Sequence, residues 1–331
     1  MEIVGRDSEH QMLIDFIDRA PPGPGAFVLE GEPGVGKTLL WFAAIDDARE
    51  RGHVVLDARP TESESALSFI GLHDLLDPVL DEASQALSPP QRRAIQIAVR
   101  RTDADESPAD EAAVILGTLN VLRRLAASRR TLVAIDDEPW LDAPSAGVLA
   151  AAFRRLHDED VGILVSRRTG TSSASGLVGS LQREQVVQVE LGPLPLGALH
   201  RLIRTRLDLS LSRPALVRLH EATQGNPLYA LELAAAFGPD LVAPDALDRV
   251  VPANLQELLA QRLSSLTESS REVVLAAALA SRPTPALLAA VLGVDEEAVV
   301  AGLDAAVAAE IIVRREGWIE FSHPLLASAA R

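Results

Sequence analysis

The sequence contains no cysteine, so disulfides and thiolate-bound metals are excluded and a reducing compartment suits the chain. Its N-terminal residues are charged and lack the apolar segment of a signal peptide. No uncharged apolar run is long enough to span a membrane. We therefore expect a soluble, cytoplasmic protein that has no membrane partner.

Basic residues are scarce, because 31 lysines and arginines stand against 47 acidic residues and the formal net charge is −16. Such a chain repels the DNA backbone, since neutralisation of phosphates by basic side chains supplies most non-specific affinity. We expect no direct binding to nucleic acid. A nucleotide is a different case, because one or two basic side chains and backbone N–H groups can hold its phosphates.

Strand and helix patterns alternate over residues 1–192, which predicts an α/β domain whose parallel sheet is covered by helices on both faces. The predicted strands are 26–30, 53–57, 131–136, 161–166 and 186–191. The predicted helices between them are 37–51, 67–87, 91–101, 111–129 and 143–156.

The pattern changes after residue 192. Residues 195–237 show helical periodicity without a strand signal, which predicts a helical domain over residues 193–250. Residues 251–331 contain short helices followed by segments 311–315 and 318–321, which predict the β-hairpin of a winged-helix domain. The predicted helices of this last domain are 252–264, 268–281, 284–292 and 295–308.

Residues 31–38, GEPGVGKT, match the G-x-x-x-x-G-K-[ST] pattern between a predicted strand and a predicted helix. The glycines let the loop curl so that its N–H groups point at phosphates, and the helix dipole adds to their attraction. Lys37, the only lysine of the chain, would bridge the β- and γ-phosphates, while the Thr38 hydroxyl would ligate Mg²⁺. This P-loop predicts ATP or ADP with Mg²⁺ as the ligand. Its predicted binding residues are Pro33, Gly34, Val35, Gly36, Lys37, Thr38 and Leu39.

Residues 131–137, TLVAIDD, form an apolar strand that ends in two acids, the pattern called Walker B. A parallel strand beside the P-loop strand would bring Asp136 to the metal. Asp137 would then polarise the attacking water. The alternative is that the two acids merely begin a surface loop.

A further strand, 161–166, leads into Arg167 and Arg168. A guanidinium at the carboxyl end of a strand can sense a γ-phosphate, so both arginines are catalytic candidates. The alternative is an exposed basic pair, of which the chain has several. The sequence does not decide which of the two arginines would be the sensor.

With these residues placed, the chain resembles the ATPase module of the STAND class of P-loop ATPases. More narrowly, it resembles the large ATP-binding LuxR-type (LAL) transcriptional regulators, whose relatives include MalT. The resemblance covers essentially the whole chain. Besides the P-loop and the two acids, it is carried by the segments VGR with Glu9 (4–9), WLDAPS (140–145), SRR (166–168), GNPLYALEL (225–233) and FSHPLL (321–326).

The resemblance implies an AAA-like core, a helical lid and a winged helix that clamps the nucleotide instead of binding DNA. Residues 252–331 contain six arginines and ten acids, which suits a clamp better than a DNA-binding surface. By the same resemblance, Val4, Gly5 and Arg6 would contact adenine, Pro227 would pack near it, and His323 would meet the β-phosphate of ADP. It also implies a regulatory switch that self-associates in the ATP state and responds to an unknown inducer.

Two features depart from the family pattern. Glu138-Pro139 follows the two acids where relatives have small or polar residues, and the stiff proline leads us to expect slow hydrolysis. The sequence also stops at Arg331, where relatives continue into a sensor region and a helix-turn-helix. We expect a segment of a longer protein, because residues 324–331 look helical; a short relative that acts alone is the alternative.

Two other functions remain open from the sequence. The same P-loop could serve a small-molecule phosphotransferase, although no acceptor motif is present. The chain could also bind nucleotide without hydrolysing it, which the Glu138-Pro139 departure allows.

Overall fold

The structure is a computed structural model that describes residues 3–18, 23–102, 110–169, 176–237, 263–264, 266–280, 283–309, 311–315 and 318–321. The chain divides into two compact units. The first unit comprises Met1–Glu32 and Gly36–Gly192, and the second comprises Pro33–Val35 and Pro193–Arg331. The further division of the second unit at residue 250 stays a prediction.

Five parallel strands form the sheet of the first unit, so the predicted α/β class with a parallel sheet is confirmed for the described residues. The strands are β1 (Gly25–Gly31), β2 (Val54–Ala58), β3 (Thr131–Ile135), β4 (Val161–Arg168) and β5 (Val186–Leu191). Their spatial order is β2-β3-β4-β1-β5.

The expectation that the strand before Asp136 lies beside the P-loop strand is wrong. Strand β1 pairs with β4 and β5, whereas β3 pairs with β2 and β4. Both β3 and β4 are apolar and buried on both faces, as central parallel strands are, so their composition does not reveal which is central. All five strands are parallel, so the carboxyl ends of β1, β3 and β4 still meet at one edge.

Helices of the first unit follow most of the predicted segments. They are α1 (Asp7–Asp18), α2 (Lys37–Glu50), α3 (Ile70–Leu76), α4 (Leu80–Ala83), α5 (Pro89–Ala98), α6 (Glu111–Ala126) and α7 (Ala143–Phe153). The single helix predicted over 67–87 is wrong. It is broken into α3 and α4 by a 3₁₀ turn over Asp77–Val79, because Pro78 cannot donate a backbone hydrogen bond. Helix α1 was not predicted.

The second unit contains helices and one hairpin in its described part. The helices are α8 (Leu196–Leu207), α9 (Arg213–Thr223), α10 (Pro227–Phe237), α11 (Glu268–Ala278), α12 (Pro285–Leu292) and α13 (Glu296–Ala308). The predicted hairpin is present, with β6 (Ile312–Arg315) antiparallel to β7 (Trp318–Phe321). The predicted helix 252–264 lies outside the described residues except at 263–264.

Each unit has an apolar core. In the first unit, Val28, Val133 and Val165 are fully buried in the centre of the sheet. In the second, Val274 and Leu303 are fully buried among the helices that precede the hairpin. None of the described helices has the length and apolar character needed to cross a membrane.

Candidate nucleotide site

The P-loop occupies the turn between β1 and α2, as the sequence predicts. Gly34 and Gly36 adopt φ angles of 80° and 104°, in the left-handed region that side chains other than glycine avoid. A Cβ atom at Gly36 would meet nothing within 4 Å, so the backbone conformation, and not lack of space, requires glycine there. The amino end of α2 is thereby left accessible to an anion.

Lys37 lies buried at the start of α2, with 7% of its surface exposed. Its Nζ donates to the carbonyl oxygens of Gly31 and Glu32, at 2.9 and 3.0 Å. Burial lowers the pKa of Lys37, while the charges of Asp137 and Asp136 oppose that shift. The only lysine of the chain and the two Walker B acids therefore belong to one electrostatic cluster.

Ser166, the last residue before the two arginines of β4, holds both acids. It is fully buried, and its hydroxyl donates to Oδ1 of Asp136 while accepting from the backbone N–H of Asp137 at 2.9 Å. The backbone N–H of Asp136 donates to Ala58 O at 3.1 Å. Strand β4 therefore holds both acids through Ser166, and β2 holds Asp136 through Ala58.

Asp137 has a strained and electrostatically unusual position. Its φ of 51° lies in the left-handed region, where a non-glycine residue is uncommon. Burial and the charge of the neighbouring Asp136 together raise the pKa of Asp137 to about 6, against the opposing effects of Lys37, Arg168 and Arg59. A carboxyl group with such a pKa can exchange a proton near neutral pH.

The two arginines at the end of β4 have different partners. Arg167 donates to Oε1 of Glu30 through both Nε and Nη2 at 2.5 Å, and its Nη1 lies 3.7 Å from Oε2 of the buried Glu138. Arg168 lies over the ring of Trp140, with Cζ 5.9 Å from the ring centroid. Of the two, Arg168 is the arginine whose charge shifts the pKa values of Lys37 and Asp137.

The N-terminal VGR motif is anchored within the first unit. Arg6 is 5% exposed, and its Nη1 donates to Oε1 of Glu9 at 3.1 Å. Its Nη2 donates to the carbonyl oxygen of Gly192 at 2.5 Å. Val4 is buried beside it, and Gly5 has a φ of 72°. The structure thus gives Arg6 a local anchoring role, and the adenine contact of these three residues stays a prediction.

The GNP motif lies in the second unit, which also includes the tip of the P-loop. Asn226 Nδ2 donates to Pro33 O at 2.9 Å, and its Oδ1 accepts from Leu228 N at 3.1 Å. Pro227 is the first residue of α10, a position where its missing N–H costs nothing. His323 lies outside the described residues, so its predicted contact with the β-phosphate stays a prediction.

The WLDAPS segment is hydrogen-bonded to the backbone at the start of α3. The two carboxylate oxygens of Asp142 accept from Phe69 N at 2.8 Å and Gly71 N at 3.0 Å, and Oδ1 also caps α7 through Ser145 N at 3.0 Å. Ser145 Oγ accepts in turn from Leu72 N at 2.8 Å. The motif residues therefore hold the amino end of α3.

One cation near the acids was missed from the sequence. Arg59, the first residue after β2, has its Nε 4.0 Å from Oδ2 of Asp136. Its position directly after a strand of the parallel sheet could have indicated it, because carboxyl ends of parallel strands share an edge. Arg59 belongs to no recognised sequence motif, so the motifs alone do not predict it.

The predicted metal ligands have the chemistry of a magnesium site. A hydroxyl from Thr38 and a carboxylate from Asp136 are hard oxygen donors, which Mg²⁺ prefers. Within the described ranges, no group of three or more His, Cys, Asp or Glu residues could hold a metal. Few protein ligands are what is expected where nucleotide phosphates complete the coordination.

Comparison with known proteins places this arrangement in a class. Residues 2–166 match the family model of the AAA ATPase domain, and no curated protein matches the sequence. Among solved structures, the chain is similar to a Walker-type ATPase of Pyrococcus abyssi, with 17% identity, a TM-score of 0.45 and coverage of 99% of this chain and 96% of that one.

Two further solved structures are similar. Orc1 of Aeropyrum pernix, in complex with DNA, has 15% identity and a TM-score of 0.47, over 99% of this chain and 92% of that one. AMPPCP-bound DnaA from Aquifex aeolicus has 14% identity and a TM-score of 0.41, over 92% of this chain and 88% of that one. From the family match, the P-loop and the parallel sheet, this chain contains a nucleotide-binding AAA-type ATPase module.

Proposed function

We propose that the chain is a regulatory switch that binds ATP or ADP with Mg²⁺ and hydrolyses ATP slowly. In this proposal it is the nucleotide-binding and self-association module of a LuxR-type regulator of the STAND class, and an unknown inducer governs it. Residues 193–250 form the lid, and residues 251–331 form a winged helix that clamps nucleotide. A nucleotide shifts such a switch only through its different affinities for the two states.

Each site residue has a role in this proposal. Lys37 binds the β- and γ-phosphates, and Thr38 with Asp136 holds the Mg²⁺. Asp137 accepts the proton of the attacking water. Arg168 senses the γ-phosphate, and Arg167 links β4 to β1 through its ion pair with Glu30. The metal, when bound, neutralises charge on the phosphates.

One observation carries the proposal: Ser166 is hydrogen-bonded to both Asp136 and Asp137 at the carboxyl edge of the sheet, and the charges of these two acids oppose the lowering of the pKa of Lys37 by burial at the P-loop. Arg168 lies two residues beyond Ser166 on the same strand. A cation at the P-loop, a pair of acids and a second cation are the groups that ATP hydrolysis requires. A phosphotransferase would need an acceptor site in addition.

The test is nucleotide binding by titration calorimetry, with Lys37→Ala as the variant. Loss of a charged hydrogen-bond donor should weaken ATP binding by about ten- to a hundredfold. The matched control is Arg49→Ala, on the same helix, whose charge pairs with Asp57 at 2.8 Å outside the site. Unchanged ATP affinity in Lys37→Ala would show that the site is assigned to the wrong residues.

A second measurement separates the switch from its alternatives. Freshly purified protein is denatured and the released nucleotide is identified by chromatography, and ATP turnover is then measured with Mg²⁺. Bound ADP with slow turnover supports the switch. Nucleotide that stays intact for hours supports a non-hydrolysing module, and turnover that a metabolite strongly stimulates supports a phosphotransferase.

A further inference from the structure

Arg59 lies near both elements that carry the proposed metal ligands, strand β3 with Asp136 and helix α2 with Thr38. It follows β2 directly, and the pairing of β2 with β3 aligns Ala58 with Ile135, the residue before Asp136. The Nε of Arg59 lies 4.0 Å from Oδ2 of Asp136. This is a contact between charges that is longer than a hydrogen bond.

The other contact of Arg59 is with helix α2. Its guanidinium carbon lies 4.9 Å from the centroid of the Phe42 ring, a cation–π contact. Phe42 stands four residues after Thr38 on α2, so the two side chains lie on the same face of the helix. Arg59 therefore contacts both Asp136 and the face of α2 that carries Thr38.

The Arg59 side chain is partly buried, with 30% of its surface exposed. Ser166 occupies Oδ1 of Asp136, which leaves Oδ2 as the oxygen that faces Arg59. Because Oδ1 already accepts the Ser166 hydroxyl, Oδ2 is the oxygen that would meet a metal ion in the proposed site.

We propose that Arg59 opposes Mg²⁺ at Asp136, so that the metal binds well only when nucleotide phosphates are present. A guanidinium beside Oδ2 neutralises the carboxylate and repels a divalent cation. Phosphates add negative charge, so that Mg²⁺ and Arg59 can then both be accommodated. This inference rests on the proposed Mg²⁺·nucleotide function and gives Arg59 the role of making metal binding depend on nucleotide.

The experiment measures metal binding directly. Mn²⁺, which accepts the same oxygen ligands as Mg²⁺, is titrated into the protein and free Mn²⁺ is followed by electron paramagnetic resonance. Titrations are made without nucleotide and with one equivalent of ADP. In Arg59→Gln we expect Mn²⁺ to bind about three- to tenfold more tightly than in wild type, with the larger gain in the absence of nucleotide. Arg59→Ala should behave likewise, whereas Arg59→Lys, which keeps the charge, should stay near wild type.

Arg49→Gln is the matched control, because it removes an arginine that pairs with Asp57 of β2, away from Asp136. Its Mn²⁺ affinity should equal that of wild type. Circular dichroism checks that each variant is folded. Because Arg59→Gln and Arg59→Ala both remove the charge, the experiment remains decisive if one of them does not fold.

The outcomes separate this inference from the proposed function. Mn²⁺ affinity that is unchanged or weaker in both neutral variants overturns the role of Arg59 while wild-type nucleotide binding stands. A loss of ADP affinity in EDTA that Arg59→Lys restores, without tighter Mn²⁺ binding, would instead make Arg59 a phosphate ligand. If wild type itself shows no metal-dependent nucleotide binding, the proposed function fails first.

Discussion

Arg167 and Arg168 are adjacent in sequence but point to opposite faces of β4, because successive side chains alternate across a strand. The register pairs Arg167 with Glu30 and Arg168 with Gly31, the first residue of the P-loop. Glu30 holds Arg167 and is itself bonded by Gln188 at 2.7 Å. The strand alternation therefore gives Arg167 a partner within the sheet and leaves Arg168 as the proposed γ-phosphate sensor.

Replacing each arginine by alanine should separate these roles. Arg168→Ala should reduce the preference for ATP over ADP by about tenfold, because a charged contact to the γ-phosphate is worth about 1.5–3 kcal/mol. Arg167→Ala should instead lower the free energy of unfolding by about 2 kcal/mol, since Glu30 loses its charged hydrogen bonds to Arg167 and the buried Glu138 loses a nearby positive charge. Calorimetric affinities and urea unfolding of both variants provide the measurement. The opposite assignment of the two effects would contradict this account.

Ser166 is hydrogen-bonded to both acids, and in the proposed function it is a positioning residue. In Ser166→Ala, the N–H of Asp137 loses its acceptor and Asp136 loses a donor, so ATP turnover should fall by about tenfold or more. Binding of ADP without metal should change little. The decisive measurement is the turnover number beside the metal-free ADP affinity, with Ser166→Thr as the control that keeps the hydroxyl and restores turnover. A purely structural role would lower stability without this restoration.

At the scale of elements, the sequence predicts features that lie within one short segment, but it does not predict which strands pair with each other. The glycines, Lys37 and the start of α2 were predicted because one short segment contains the strand end, the loop and the helix start. The position of β4 between β1 and β3 was not, because strand order depends on partners that are far apart in sequence. Arg59 was missed for the same reason, since its significance comes from β2 pairing with β3.

The WLDAPS segment offers a test at this scale. Asp142 is 1% exposed and accepts three backbone hydrogen bonds, so Asp142→Ala should lower the free energy of unfolding by about 3 kcal/mol or more. Amide hydrogen exchange at Phe69 and Gly71 should accelerate. Asp110→Ala is the control: Asp110 is an exposed N-cap of α6 with a single 3.1 Å bond, and its loss should cost about 1 kcal/mol. Equal losses of unfolding free energy in the two variants would mean that the hydrogen bonds of Asp142 contribute no more than those of an ordinary helix cap.

At the scale of the whole molecule, each of the two units has a core of its own. Leu303 is fully buried in the core of the second unit, and Leu303→Ala should cost about 2–5 kcal/mol of unfolding free energy. Val291, on helix α12, is 67% exposed, so Val291→Ala should change stability by no more than about 0.5 kcal/mol. Urea unfolding of the two variants measures the difference. A negligible cost for Leu303→Ala would show that the second unit is not packed as described.

Net charge is the other property of the whole molecule. At −16, the chain must overcome long-range repulsion before any basic patch can reach a DNA phosphate, although a nucleotide held by Lys37 and backbone N–H groups needs no such surface. We therefore expect this chain alone to bind duplex DNA with a Kd weaker than about 10⁻⁴ M at physiological salt. Fluorescence anisotropy of a labelled duplex, with and without ATP and Mg²⁺, measures this. Tight binding that weakens steeply with salt would reveal a concentrated basic surface and would contradict a winged helix that serves only as a nucleotide clamp.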